Sequence, residues 1–143
     1  MKKFAIFACL SIVLLLTGCA TNLSSNLAPG VTFDELGKIF VVRFAPDKRE
    51  LNSIIAEKLT LMGYPAVAGE KSEIPKDVDT LVTYKDNWQW DLTNYMIRIN
   101  IQFRDSKSGK LIVSGESYRT SLARKSPEKM IEETLVEIFK KKS

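Results

Sequence analysis

The residues with the clearest chemical potential lie in Asp86-Asn87-Trp88-Gln89-Trp90-Asp91, with Tyr95 four positions further on. Two aspartates so close in sequence raise one chemistry. They could act as general acid and base on a glycosidic bond, provided that the carboxyls converge on a cleft at roughly 5–10 Å. The three aromatics raise another, since such rings stack on sugars or anchor a protein partner. Each reading has a plainer counterpart. Aspartates at turns and strand ends cap or stay solvated. Trp88 and Trp90 continue the even-numbered row of Val82 and Tyr84, so both are expected on the apolar face of a strand, as core. The expectation is therefore no catalytic residue, with Asp86, Trp88, Trp90, Asp91 and Tyr95 as the candidate interaction patch.

Composition narrows the chemistry further. The chain has no histidine, which removes Ser-His-Asp and Cys-His nucleophiles and every histidine-containing zinc site. No metal and no cofactor are expected. Ser108-Gly109-Lys110 lacks the upstream glycine and the following helix of a phosphate loop. Carboxylate chemistry on cell-wall glycans stays as the enzymatic alternative, and a small-ligand carrier is a further one.

The other reactive residue is Cys19. Lys2 and Lys3 precede an apolar run, Phe4 to Leu16, broken only by Ser11. Its thirteen residues reach about 20 Å as a helix, short of a hydrocarbon core of about 30 Å, so a cleaved signal peptide is expected rather than a membrane span. The run closes on Leu16-Thr17-Gly18-Cys19, which resembles the lipobox of bacterial lipoproteins. In that family the cysteine thiol is acylated and the peptide is cut before it, and a thiolate is the readiest side-chain nucleophile for such a thioether. Each buried CH₂ contributes about 0.8 kcal/mol, so several chains on one cysteine make a durable anchor. The resemblance implies residues 1–18 as signal peptide, Cys19 as the lipidation site and the membrane as first partner. Ala20, where an aspartate would imply inner-membrane retention, implies the periplasmic side of the outer membrane. The outer face of the cytoplasmic membrane is the alternative.

Removing 18 of 143 residues leaves 125, enough for one domain, here residues 31–143. Cys9 leaves with the signal peptide, so no internal disulfide can form and the domain must rest on its core. Losing Lys2 and Lys3 also brings 21 Lys+Arg down to 19 against 17 Asp+Glu, close to neutral. Nucleic acid is not an expected partner. Residues 19–30 are small and polar and end in Pro29-Gly30, so they read as the lipidated cysteine and a flexible tether of about 15–20 Å reach.

The elements that must position the patch follow from periodicity. Lys38 to Phe44 reads as a strand, with Arg43 an odd charge in it. Asp47 to Glu50 has capping-box spacing ahead of a helical stripe of Leu51, Ile54, Ile55, Leu59 and Met62, closed by Gly63. Pro65 to Ala68 is a short strand. Thr80 to Trp90 alternates, as do Tyr95, Ile97, Ile99, Ile101 and Phe103, which predicts two long strands with one buried face. Leu111 to Ser121 returns after a turn at Gly109. Ser126 and Pro127 open a last helix with Met130, Ile131, Thr134, Leu135, Ile138 and Phe139 on one stripe. A sheet with one apolar face and two amphipathic helices gives a two-layer α+β domain, mainly antiparallel, with both helices on one face.

Asp86 to Asp91 and Tyr95, taken with Asp79-Thr80-Leu81-Val82 and Asp105…Ser108-Gly109-Lys110, resemble uncharacterised DUF4136-like envelope lipoproteins over roughly residues 40–140. That resemblance carries no functional residue. More loosely, a lipid tether plus a small β/α domain is similar to envelope assembly lipoproteins such as curli-secretion pore subunits and activators of cell-wall synthases. The implied role is a non-enzymatic binding or assembly module whose partner is an envelope protein or the cell wall.

Overall fold

The computed structural model describes residues 21–33 and 36–142; the expected signal peptide, residues 1–18, and Cys19 lie outside them. Six strands make one mixed sheet. They are β1 (Asn22–Leu27), β2 (Ile39–Val42), β3 (Ala66–Gly69), β4 (Thr80–Asp91), β5 (Thr93–Asp105) and β6 (Leu111–Tyr118). The order is β1-β6-β5-β4-β2-β3, antiparallel from β1 to β4 and parallel from β4 to β3. Helix α1 (Leu51–Leu61) is the crossover between the parallel pair β2 and β3, and α2 (Pro127–Phe139) follows the antiparallel run. This is the expected α+β arrangement.

One core lies between the sheet and the helices. Ile39, Val41, Val82, Ile99, Ile101, Phe103 and Val113 line the sheet side; Leu51, Ile55, Leu59, Met130, Ile131, Leu135 and Ile138 line the helix side. Both helices therefore cover the same face. Helix α2 packs tightly on the sheet at Gly115 of β6, where an added Cβ would stand 2.6 Å from the Ile138 side chain. Only glycine lets α2 sit that close. Ser126 caps α2 as expected, accepting from the Lys129 amide at 3.4 Å, with Pro127 in the first turn. Gly109 takes the positive φ (69°) that the β5–β6 turn requires.

Three expectations need correction. Residues 22–27 are not tether but strand β1, paired with β6 from Asn22↔Tyr118 to Leu27↔Val113. Asn-Leu-Ser-Ser-Asn-Leu has little intrinsic strand preference. The free edge of β6 and the bond from Ser25 Oγ to the Glu137 carbonyl (2.9 Å) override it. The capping box before α1 does not form either. Glu50 stands in the left-handed region (φ 56°) and makes no side-chain cap. Asp47 instead accepts from the Arg49 and Leu51 amides, both at 2.7 Å. Finally, β5 does not keep one phase. The register steps from Asn87↔Arg98 to Trp88↔Met96, leaving Ile97 as the extra residue of a bulge. Met96 is thereby buried, whereas Ile97 and Tyr95, expected inside, are only half-buried.

Candidate functional site

β4 and β5 are far longer than their neighbours need. β2 pairs only with Thr80–Val82 of β4, and β6 reaches only Arg98 of β5. Beyond those points the two strands run on as a hairpin arm carrying every residue of the expected patch. The arm ends in a one-residue turn at Leu92, which is 89% exposed and adopts φ 58°. Left-handed backbone costs a leucine about 1–2 kcal/mol, a cost glycine would avoid.

The patch residues do not form one surface. By strand alternation across the bulge, Asp86, Trp88 and Trp90 share the helix side of the arm, and Gln89, Asp91, Thr93 and Tyr95 share the other. On the first side, Trp88 is half-buried against the edge of the core, its indole N–H donating to Asp86. The Arg49 guanidinium lies 3.7 Å over the same ring. Trp90, two residues nearer the tip, is 73% exposed. Its place in the core is thus corrected: the helices end before the row does, and among the described residues nothing buries it. On the second side, Arg124 donates to Asp91 (2.8 Å) and stacks 3.8 Å over Tyr95, whose hydroxyl donates to Gln89 at 3.2 Å. Asp86 and Asp91 point to opposite faces, about 17 Å apart along the strand, and each is engaged by its own partner. They do not converge on a cleft.

Two acidic residues gather partners at the root of the arm, Asp47, read from the sequence only as part of a capping box, and Glu133, which sequence reasoning passed over. Asp47, buried beside the arm's root, accepts the Tyr84 hydroxyl at 2.6 Å as well as its two amides. Burial and the Asp47 carboxylate push the Tyr84 phenol well above its usual value, so it stays a donor. Glu133 of α2 accepts from Arg119 (3.0 and 2.6 Å), Lys125 (2.6 Å) and Ser117 (2.6 Å). Burial alone would raise its pKa, but these three donors outweigh that and hold it at about 2. Arg119 and Lys125 are thus spent on one carboxylate. Arg43 is resolved similarly, pairing with Glu70 (3.0 Å) and the Asp47 carbonyl (3.1 Å).

Elsewhere, an open crevice of about 390 Å³ runs along β2 and β3, lined by Phe40, Thr60, Pro65, Ala66, Val67 and Pro75. It lies at the end of the sheet away from the arm. Among the described residues no cluster of three metal-ligating side chains occurs, and no helix is long and apolar enough to cross a membrane.

No family model matches the chain, so the likeness to DUF4136-like lipoproteins gains no support, and no curated protein matches it. Solved structures do. A PelC dodecamer from Paraburkholderia phytofirmans, in a single-substitution variant, superposes with a TM-score of 0.61 at 14% identity, over 83% of this chain and 98% of that one. A second PelC dodecamer from the same organism gives 0.58 at 12% identity, over 85% and 96%. A PDZ domain protein from Parabacteroides distasonis gives 0.52 at 10% identity, over 92% of this chain but only 38% of that one. At these identities what is shared is the fold: a small mixed sheet with its helices on one face.

Proposed function

We propose that the chain is a lipid-anchored envelope protein, held through acylated Cys19 and acting as a non-enzymatic binding or assembly module on the periplasmic side of its membrane. The supporting observation is the arm. A module needs exposed apolar groups and unpaired strand edges, and the arm presents both beyond the reach of β2 and β6. The carboxylate enzyme is the weaker reading, because Asp86 and Asp91 stand on opposite faces. Changing Cys19 to Ser is expected to release the protein from the membrane fraction into the soluble periplasm; a Cys19→Ser protein that still sediments with membranes would refute the anchor.

A second reading concerns assembly. The two PelC structures are dodecamers of chains with this fold, which favours association of this chain with copies of itself. The free edges of β1 and β3 are places for such contacts. Light scattering on the detergent-solubilised protein is expected to give a multiple of the chain mass, and a monomer across the accessible concentration range would exclude this reading.

A further inference from the structure

The position of β1 fixes which end of the domain meets the membrane. Asn22 is level with Tyr118, and Tyr118 with Arg98. β1 and β5 both run antiparallel to β6, so the N-terminal end of β1 is the end nearer the arm. Cys19 is only three residues upstream and can stand no more than about 10 Å beyond that level. The arm continues from the Asn87–Arg98 pair to the Asp91–Thr93 pair, four rungs or about 14 Å, because the bulge takes up Ile97. The arm therefore reaches at least as far as the covalent tether. At that height the large exposed side chains are apolar, Trp90 (73% exposed), Leu92 (89%) and, on the segment beside it, Leu122 (85%), flanked by Asn94 and the Asp91–Arg124 pair. That segment is held to the arm by the Arg119 amide bonding the Ile97 carbonyl (2.7 Å) and by Arg124 bonding Asp91 (2.8 Å).

We infer that the tip of the β4–β5 arm is a second membrane contact, in which Trp90, Leu92 and Leu122 enter the headgroup layer of the leaflet that holds the acyl chains of Cys19. This rests on the anchor proposed above. The occupant is the lipid surface because the tether is too short to hold the tip away from it. An indole with an exposed apolar face is also the side chain that the membrane interface selects. The contact is apolar rather than ionic. Arg119 and Lys125 are spent on Glu133, and Arg124 on Asp91. One lipidated residue then does more than tether: anchor and tip together set the orientation of the sheet, with the crevice end pointing away from the bilayer.

Only two tryptophans exist, and Trp88 lies half-buried under Arg49, so the difference between the native protein and Trp90→Phe isolates the emission of Trp90. The native lipidated protein is reconstituted into phosphatidylethanolamine–phosphatidylglycerol vesicles, with and without acyl chains brominated near the headgroup. Bromine is expected to quench the Trp90 share of the emission and to leave that of Trp88, half-buried against the core. Trp90→Phe is expected to lose most of the quenching, and raised salt to leave it unchanged. Leu92→Gly relieves the left-handed strain while removing apolar surface, so reduced quenching in that variant cannot be blamed on misfolding. Protein that does not float with the vesicles overturns the anchor and, with it, the contact. Flotation with equal quenching in native and Trp90→Phe protein overturns the contact alone. Trp90 emission that responds to protein-to-lipid ratio but not to bromine assigns the tip to a second copy, and also overturns it.

Discussion

The same two strands behave differently at their two ends. In the base, from Thr80 to Tyr84 and from Ile99 to Phe103, β4 and β5 place Val82, Tyr84, Ile99, Ile101 and Phe103 against the helices and bury them. In the arm, the same alternation brings Trp88 only to the rim and leaves Trp90 in the open. The residue pattern hardly changes between the two. What changes is whether a helix lies opposite. A period of two states that one face is apolar, but burial belongs to the packing layer, and that layer stops at about Met96. The base is built for stability and the arm for contact.

Substitutions can break this contrast. The largest effect is expected in the base, where Ile101→Ala should lower unfolding free energy by about 2–5 kcal/mol in a urea titration. An effect near zero would mean that the sheet and helices do not share one core. Glu133→Gln comes next, at about 1–3 kcal/mol, because Arg119 and Lys125 lose a charged acceptor. Its pH signature is specific. Glu133 titrates near 4.5 when unfolded and at about 2 when folded, so its contribution is complete above pH 4.5 and is lost as pH falls towards 2. Comparing urea midpoints at pH 7 and pH 3 should show that loss in the native protein and a smaller one in Glu133→Gln. Trp88→Ala, at the rim, should cost about 1–2 kcal/mol by the same measurement. Leu92→Gly should change stability by no more than about 1 kcal/mol, and upwards, by removing the left-handed leucine. Trp90→Ala should fall within about 0.5 kcal/mol of the native protein. A loss as large as that of Ile101→Ala would place Trp90 in the core after all.

The base was legible in the sequence, and the arm only in part. Hydrophobic periods of 2 and 3.6 located the long strands and both helices, because Ile99, Ile101 and Phe103, like Met130, Ile131, Leu135 and Ile138, meet the same core. Nothing local marked the bulge at Ile97. It is a property of how two strands pair, and it reverses the side on which Tyr95 and Met96 project. Strand β1 was invisible for the same reason: its polar residues are ordered by the edge of β6, ninety residues away, rather than by their own preference. Glu133 carried a faint signal, as a carboxylate facing Arg119 and Lys125 once α2 is drawn against β6. The misplacement of β1 mattered most, since a tether of eleven residues would have left the domain's orientation free.

Both the proposed anchor and the proposed membrane contact of the arm depend on what Cys19 carries. Intact-mass and N-terminal peptide spectrometry on protein isolated from its own membranes tests this directly. The expected result is a chain beginning at Cys19 with the mass of its acyl groups on that residue. A chain retaining residues 1–18, or one bearing an unmodified thiol at Cys19, would contradict it.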